Sequence, residues 1–226
     1  MKNDVQIQAS IIDELRWDPI LNAAEIGVTV KNGIATLSGV VDSYAKKIAA
    51  ENAAKRVTGV RAVAEDIQVG PSDALQRSDT EIAQAVLNAL RWHAAIEEEK
   101  IKVRVDDGNV WLEGEVEWEY QRSNARNCIE HLSGVRSIIN AIVIKPRTAA
   151  KLLDVQQKIG AALQRNASLA AKQIEVSVVG SKAILNGTVR SFAEREAAVM
   201  AAWSAPGITE VDNRLVIEVP EFAFED

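Results

Sequence analysis

The sequence predicts an α+β fold made of three tandem modules, each in the order α-β-β-α-β. A strand–turn–strand segment occurs three times and closes each time in a glycine, at Gly39, Gly114 and Gly187. A second glycine follows at the same interval in every copy, at Gly59, Gly134 and Gly207. The copies lie about 75 residues apart, which is long for a solenoid repeat and sufficient for a small domain.

The first copy shows the first elements of the module in order. Apolar residues recur at helical spacing over residues 7–15, and Pro19 should end that helix because the residue before a proline is disfavoured in the α region. Residues 26–30 alternate between apolar and polar, which predicts a half-buried strand. Asn32-Gly33 predicts a tight hairpin turn, since both residue types tolerate positive φ, and residues 34–37 form the returning strand.

A helix and a third strand complete the module. Asp42 or Ser43 can cap a helix whose apolar stripe runs to Val57, and Gly59 should stop it. The apolar pattern of residues 63–69 predicts the third strand. Positions that are apolar in all three copies indicate the core, namely Ile26, Ile101 and Ile174, then Leu37, Leu112 and Leu185, then Val60, Val135 and Ile208. The closing glycines are assigned a backbone role, because a strand must turn there toward a helix.

The other two copies follow the same order with local differences. Capping boxes begin helices at residues 78–81 and 191–194. The second helix of the middle copy is predicted to span residues 118–132. In the third copy the turn glycine, Gly180, is displaced by one position, so we expect a differently shaped hairpin.

Short linkers set the boundaries between the copies. We predict modules over residues 1–70, 76–146 and 150–220, followed by a tail at 221–226 that carries Phe222 and Phe224. A unit of this size buries only about 60% of the surface of its unfolded chain and is marginal alone. Neighbouring modules should therefore pack against one another.

Charge and composition exclude several classes of protein. The net charge is −6 and is spread over the three copies, which argues against binding of nucleic acid. Cys128 is the only cysteine, so no disulfide forms within the chain. The N-terminal residues lack the apolar run of a secretory signal, and no apolar stretch is long enough for a membrane span. We expect a cytoplasmic protein as the sequence is written, and a periplasmic one if a signal was removed.

The residues that could carry chemistry are few. His93 and His131 fall in different elements and recur in neither of the other copies. Cys128 aligns with alanines, which favours a core thiol over a nucleophile. We therefore predict no enzyme activity, no metal and no cofactor. Four alternating carboxylates could share one face if extended, and either attract a cation or form a solvated edge: Glu113, Glu115, Glu117 and Glu119.

The repeated motifs resemble those of the BON family, named for bacterial osmotically inducible and nodulation proteins. They are the hairpin ending in Leu-x-Gly (Leu37-Ser38-Gly39, Leu112-Glu113-Gly114, Leu185-Asn186-Gly187) and the later Gly-Val or Gly-Ile (Gly59-Val60, Gly134-Val135, Gly207-Ile208). The resemblance covers nearly the whole chain as three consecutive modules. It implies a mixed three-stranded sheet covered by two helices, and a non-enzymatic role at bacterial membranes with phospholipid binding, envelope maintenance and osmotic stress as recurring themes.

Two candidate surfaces follow. The first is a membrane contact at the ends of the first helices of modules one and two, where an arginine precedes a tryptophan, at Arg16, Trp17, Arg91 and Trp92. The alternative is that each tryptophan packs over its own hairpin. The second is the sheet face opposite the helices, where apolar residues occur at Trp111 and Val143 in module two and at Val179, Ile184 and Val216 in module three. A neighbouring module or the tail would cover this face, or it would bind a protein partner or a second copy of the chain.

Overall fold

A computed structural model of the chain describes residues 3–70, 77–94, 96, 98–146, 152–165 and 174–218. Across these residues it contains six α-helices and three separate sheets of three strands each. The predicted α+β class and the threefold repeat are confirmed.

The first module contains all five predicted elements. They are α1 (Asp4–Trp17), β1 (Ile26–Lys31), β2 (Ile34–Val41), α2 (Tyr44–Arg56) and β3 (Ala62–Val69). Asp18 caps the end of α1, as the following proline predicts. Its helical stripe is buried, and Leu15 has no exposed surface.

The second module repeats this order. Its elements are α3 (Asp79–Trp92), β4 (Ile101–Asp106), β5 (Asn109–Val116), α4 (Glu119–Asn127) and β6 (Ser137–Ile144). The predicted capping box is present at the start of α3, where the Ser78 hydroxyl accepts the Glu81 N–H and the Glu81 carboxylate accepts the Ser78 N–H.

The helix predicted over residues 118–132 is too long, because α4 ends at Asn127. Beyond it the backbone continues as tighter turns, in which the Ile129 N–H donates to the Arg126 carbonyl and the Leu132 N–H donates to the Ile129 carbonyl. These bonds span three residues instead of four, so the chain winds as 3₁₀ turns. The apolar stripe is kept nonetheless, and Ile129 is fully buried.

The third module has the same elements. They are α5 (Leu152–Arg165), β7 (Ile174–Val179), β8 (Lys182–Val189), α6 (Phe192–Trp203) and β9 (Glu210–Ile217).

Every sheet is mixed, with the second strand of the module at its centre. β1 runs antiparallel to β2 with Ile26 opposite Gly39, and β3 runs parallel to β2 with Ala62 opposite Ile34. The other two sheets have the same order and register. Both helices of a module pack on one face of its sheet, and the other face is left open.

The hairpins of the first two modules have the same type of turn. Asn32 and Gly33 both have positive φ, at 53° and 75°, which is the type I′ pattern of two-residue hairpins. The Asp4 carboxylate at the start of α1 accepts the N–H groups of both turn residues at 2.8 and 3.0 Å. Asp79 makes the equivalent bonds in the second module. The first helix therefore holds the tip of its hairpin.

The third hairpin differs as its sequence predicts. Gly180 occupies the first turn position with φ 61°, and Ser181 after it has no positive φ. One positive φ at the first position is the type II′ pattern, which also suits a two-residue hairpin.

The glycines that close the hairpins are required by the backbone. All six repeated glycines have positive φ: Gly39, Gly59, Gly114, Gly134, Gly187 and Gly207. At Gly39 a β-carbon would lie 2.1 Å from the Glu25 carbonyl oxygen, and at Gly114 it would lie 2.1 Å from the Lys100 carbonyl oxygen. No side chain fits at that distance, so the segment entering the first strand can approach only a glycine.

The three modules pack together through their second helices. Modules one and three share a single apolar core, and α2 contacts α6. Module two has its own core, which extends to Tyr44 and Ile48 of α2 and to Trp203 of α6. The Arg126 guanidinium of α4 donates to the Tyr44 hydroxyl at 3.0 Å. The predicted packing between modules is confirmed, and it includes contact between the first module and the last.

Candidate membrane-contact and interaction surfaces

The two candidate tryptophans stand out from the surface. Trp17 ends α1 and is 85% exposed, while Trp92 ends α3 and is 87% exposed. The alternative that each packs over its own hairpin is wrong. Both indoles therefore lie outside the apolar cores of their modules.

Helix geometry explains the exposure. Trp17 follows Leu15 by two residues, which is about 200° around a helix. Because Leu15 faces the core, the Trp17 side chain leaves the opposite side of α1. Trp92 follows the buried Leu90 by the same step. The sequence contained this information, since both tryptophans lie outside the apolar stripe.

The neighbouring arginines and the third module complete this surface. Arg16 is exposed and lies 3.5 Å from Asp13 of its own helix, and Arg91 is exposed at the matching position of α3. In module three the position of the tryptophan is taken by Arg165, which is also exposed. Modules one and two therefore carry an apolar helix tip, and module three carries a cationic one.

The open sheet face of module three is interrupted by charge. Val179 is 66% exposed and Ile184 is half-buried one step diagonally from it across the β7–β8 hairpin. Val216, 53% exposed, pairs with Thr188 at the far end of the sheet. The row containing Arg214 lies between them. The structure thus brings together two of the three apolar residues that the sequence assigned to this face.

A network of ion pairs covers the edge of the same face. Lys182 contacts Glu210 at 2.7 Å and Asp212 at 3.3 Å, and Arg214 contacts Asp212 at 2.9 Å. Hydrogen bonds from Arg214 and Lys182 lower the pKa of Asp212, and bonds to Glu210 and Asp212 raise the pKa of Lys182. Glu210 and Arg214 are exposed, and Lys182 and Asp212 are partly buried. Together they limit the apolar area to Val179 and Ile184.

In module two the open face carries a stacked pair. The Arg104 guanidinium lies 3.8 Å from the centre of the Trp111 ring, which leaves this ring half-buried. Trp111 also pairs across strands with Ile139, which is 42% exposed and was not predicted. Val143 is 59% exposed but lies beside Glu115, two rows from Trp111.

No neighbouring module covers the exposed valines Val143, Val179 and Val216. That part of the prediction is wrong, because the modules meet through their helices and turn their sheets outward. The other predicted cover, the tail with Phe222 and Phe224, lies outside the described residues. Module one also has exposed apolar residues on its sheet, at Ile34 and Val40.

The alternating carboxylates do not share a face. Glu113 and Glu115 project from the open face of β5, but the strand ends at Val116 and Glu119 begins α4. Glu119 is buried, and its carboxylate accepts the Ser123 hydroxyl at 2.9 Å. Within the described part of the chain, no three His, Cys, Asp or Glu side chains are grouped so that they could hold a metal ion.

Cys128 has the environment of an unreactive thiol. It is half-buried at the end of α4, where its sulfur donates to the Ala125 carbonyl at 3.4 Å. Burial raises the pKa of the thiol to about 11. At neutral pH it is therefore protonated and a poor nucleophile.

None of the described helices is both long and apolar enough to cross a bilayer.

The chain consists of three copies of one module, and backbone geometry requires the same glycines in each copy. The family model for the BON domain matches residues 3–71, 78–146 and 152–219. The chain belongs to the BON domain family, and it contains three BON domains.

Individual relatives are more distant. Over 146 residues the chain is 27% identical to the osmotically-inducible protein Y of Escherichia coli (strain K12). The aligned region covers 62% of this chain and 70% of that protein. A structure of CdsD, a structural protein of the type III secretion system of Chlamydia trachomatis, aligns over 94% of this chain and 92% of its own with 16% identity. Its TM-score is 0.28, and a likeness at that level carries no argument.

Proposed function

We propose that this protein is a non-enzymatic binder of phospholipid surfaces that acts in osmotic or envelope stress. The observation that carries the proposal is the pair of exposed indoles, Trp17 and Trp92, at the ends of two equivalent helices. Tryptophan prefers the interface between lipid and water, where its ring is buried and its N–H stays hydrated. The link to osmotic stress is supported by the similarity to an osmotically inducible protein.

The charge of the chain determines how it can contact a membrane. The chain carries a net charge of −6, so an anionic membrane repels it as a whole. Arg16 and Arg91 place positive charge next to the two indoles, and a basic side chain near an anionic surface contributes about 1 kcal/mol. Two weak contacts in one chain reinforce each other when both reach the same membrane, because the second then forms at high effective concentration. Binding should therefore be strongest with both tips and should weaken with salt.

Co-sedimentation with anionic vesicles tests the proposal. The wild-type chain should pellet at low salt, and Trp17→Ala with Trp92→Ala should remain in the supernatant. Either single variant should bind more weakly than the wild type. Val5→Ala is the matched control, since Val5 is 72% exposed on α1 but near its other end. Pelleting of the double variant at the wild-type level, or no pelleting of the wild type, would refute the proposal.

A second candidate is a protein-interaction module that uses the open sheet faces. Val179 and Ile184 of module three are apolar where the equivalent residues of module one are Lys31 and Thr36. Ile184→Asp should reduce self-association or capture of a partner, measured by sedimentation velocity at rising concentration. Thr36→Asp is the control at the equivalent position. A chain that remains monomeric at all concentrations and binds no partner would remove this candidate.

A further inference from the structure

An aromatic groove lies between modules two and three. It is lined by Trp118, Glu119, Tyr120, Met200, Trp203 and Ser204, and its volume is about 360 Å³. Tyr120 and Met200 are each about half exposed, and both tryptophan rings are partly buried. This volume falls within the range of small-molecule sites.

The groove residues depart from the repeat. The segment Trp118-Glu119-Tyr120 begins α4, where the other modules have Ser43-Tyr44-Ala45 and Ser191-Phe192-Ala193. A tryptophan therefore replaces the serine at the start of the helix, and a carboxylate replaces a buried ring. An indole cannot accept the capping N–H, and the buried Glu119 carboxylate depends on Arg122 and Ser123 as its partners. Departures from the residue preferences that the other two modules follow are expected at functional sites.

The chemistry of the groove suits an organic cation. Aromatic faces attract positive charge, and Trp203 already holds one, since the Arg122 guanidinium lies 5.0 Å from its ring centre. The Glu119 carboxylate beside the groove is 9% exposed. Arg122 is its ion-pair partner at 2.7 Å, although Oε2 accepts no well-aligned hydrogen bond. The groove thus combines three aromatic rings and a thioether, beside a buried ion pair between Glu119 and Arg122.

The few available acceptors decide which cation fits. The Ser204 hydroxyl donates to the Met200 carbonyl, and the Oε2 atom of Glu119 is closed to solvent. A primary ammonium would find only the Tyr120 and Ser204 hydroxyl oxygens as accessible acceptors, too few for its three N–H groups. A quaternary ammonium has no N–H to satisfy, and its methyl groups pack against rings and sulfur. We propose that this groove binds a small dissolved quaternary ammonium cation.

Titration of the full chain with choline chloride tests the inference, followed through the indole N–H resonances. Choline should shift the signals of Trp118 and Trp203 among the five tryptophans, with saturation. The neutral isostere 3,3-dimethylbutan-1-ol should bind at least about fivefold more weakly, because it lacks the charge that the rings attract. Ammonium chloride should cause no saturable shift. Equal binding of the neutral isostere would show only an apolar groove and overturn the inference, as would the absence of a saturable choline shift.

Matched variants locate the site. Tyr120→Leu keeps an apolar side chain without a ring and should weaken choline binding about fivefold, whereas Tyr120→Phe should retain it. Unchanged binding by Tyr120→Leu would overturn the proposed site. The vesicle-binding variant at Trp17 and Trp92 should bind choline normally, so the two proposals fail independently. Should Tyr120→Leu abolish pelleting with phosphatidylcholine vesicles while free choline does not bind, the ligand is a lipid headgroup and the dissolved cation is excluded.

Discussion

Replacing Gly39 by alanine tests whether the closing glycines hold the modules in shape. The added β-carbon would lie 2.1 Å from the Glu25 carbonyl oxygen, and the residue has φ 140°. Backbone strain of this kind costs about 1–3 kcal/mol in a residue with a side chain. Relief of the clash would also separate Gly39 from Ile26 and weaken a hydrogen bond, at about 1 kcal/mol. We expect a loss of about 2–4 kcal/mol.

Thermal unfolding followed by circular dichroism measures this loss. For a chain of this length each kcal/mol corresponds to roughly 2–4 °C in Tm, so the variant should melt about 4–16 °C lower. Gly160→Ala is the matched control, because Gly160 lies within α5 with no atom within 4 Å of an added β-carbon. That change should raise stability by about 0.5–1 kcal/mol. A Gly39→Ala variant that melts with the wild type would refute the steric reasoning.

Three further predictions concern other parts of the chain. Asp4→Ala should cost about 1–2 kcal/mol in urea unfolding because two turn N–H groups lose their acceptor, while Asp13→Ala, at an exposed ion pair, should change little. Cys128 should react with a maleimide at pH 8 about 100-fold more slowly in the folded chain than in urea, since burial raises its pKa from 9.0 to about 11; equal rates would contradict this. Tyr44→Phe should cost about 1–2 kcal/mol because Arg126 loses its acceptor between modules, and an unchanged unfolding midpoint would count against that contact.

The repeat made the fold of each module readable from sequence. Positions such as Leu37, Leu112 and Leu185 are buried in all three copies, and the displaced Gly180 correctly indicated a different hairpin. Internal copies serve here as an alignment, because a residue shared by all three meets a common structural demand. The same comparison would have revealed the groove, where Trp118 and Glu119 replace the residues of the other copies.

The relation between modules was not readable in this way. Ala50, Ala53 and Ala54 are small enough to face either their own sheet or another helix, so the pattern of α2 does not say which neighbour it meets. The register of the third strand is set by the crossover through the second helix, and no local motif reports it. The sequence alone therefore places Val216 in the same patch as Val179, although the sheet separates them to opposite ends.

The shared core of the first and last domains has a consequence for how such a chain can change. Independent domains tolerate loss of a terminal domain. Here removal of module three would expose the apolar side of α2 and leave module one insoluble or unfolded. Duplication of a single unit would likewise have to keep the shared core of modules one and three intact. The three modules would therefore be retained or lost together during evolution.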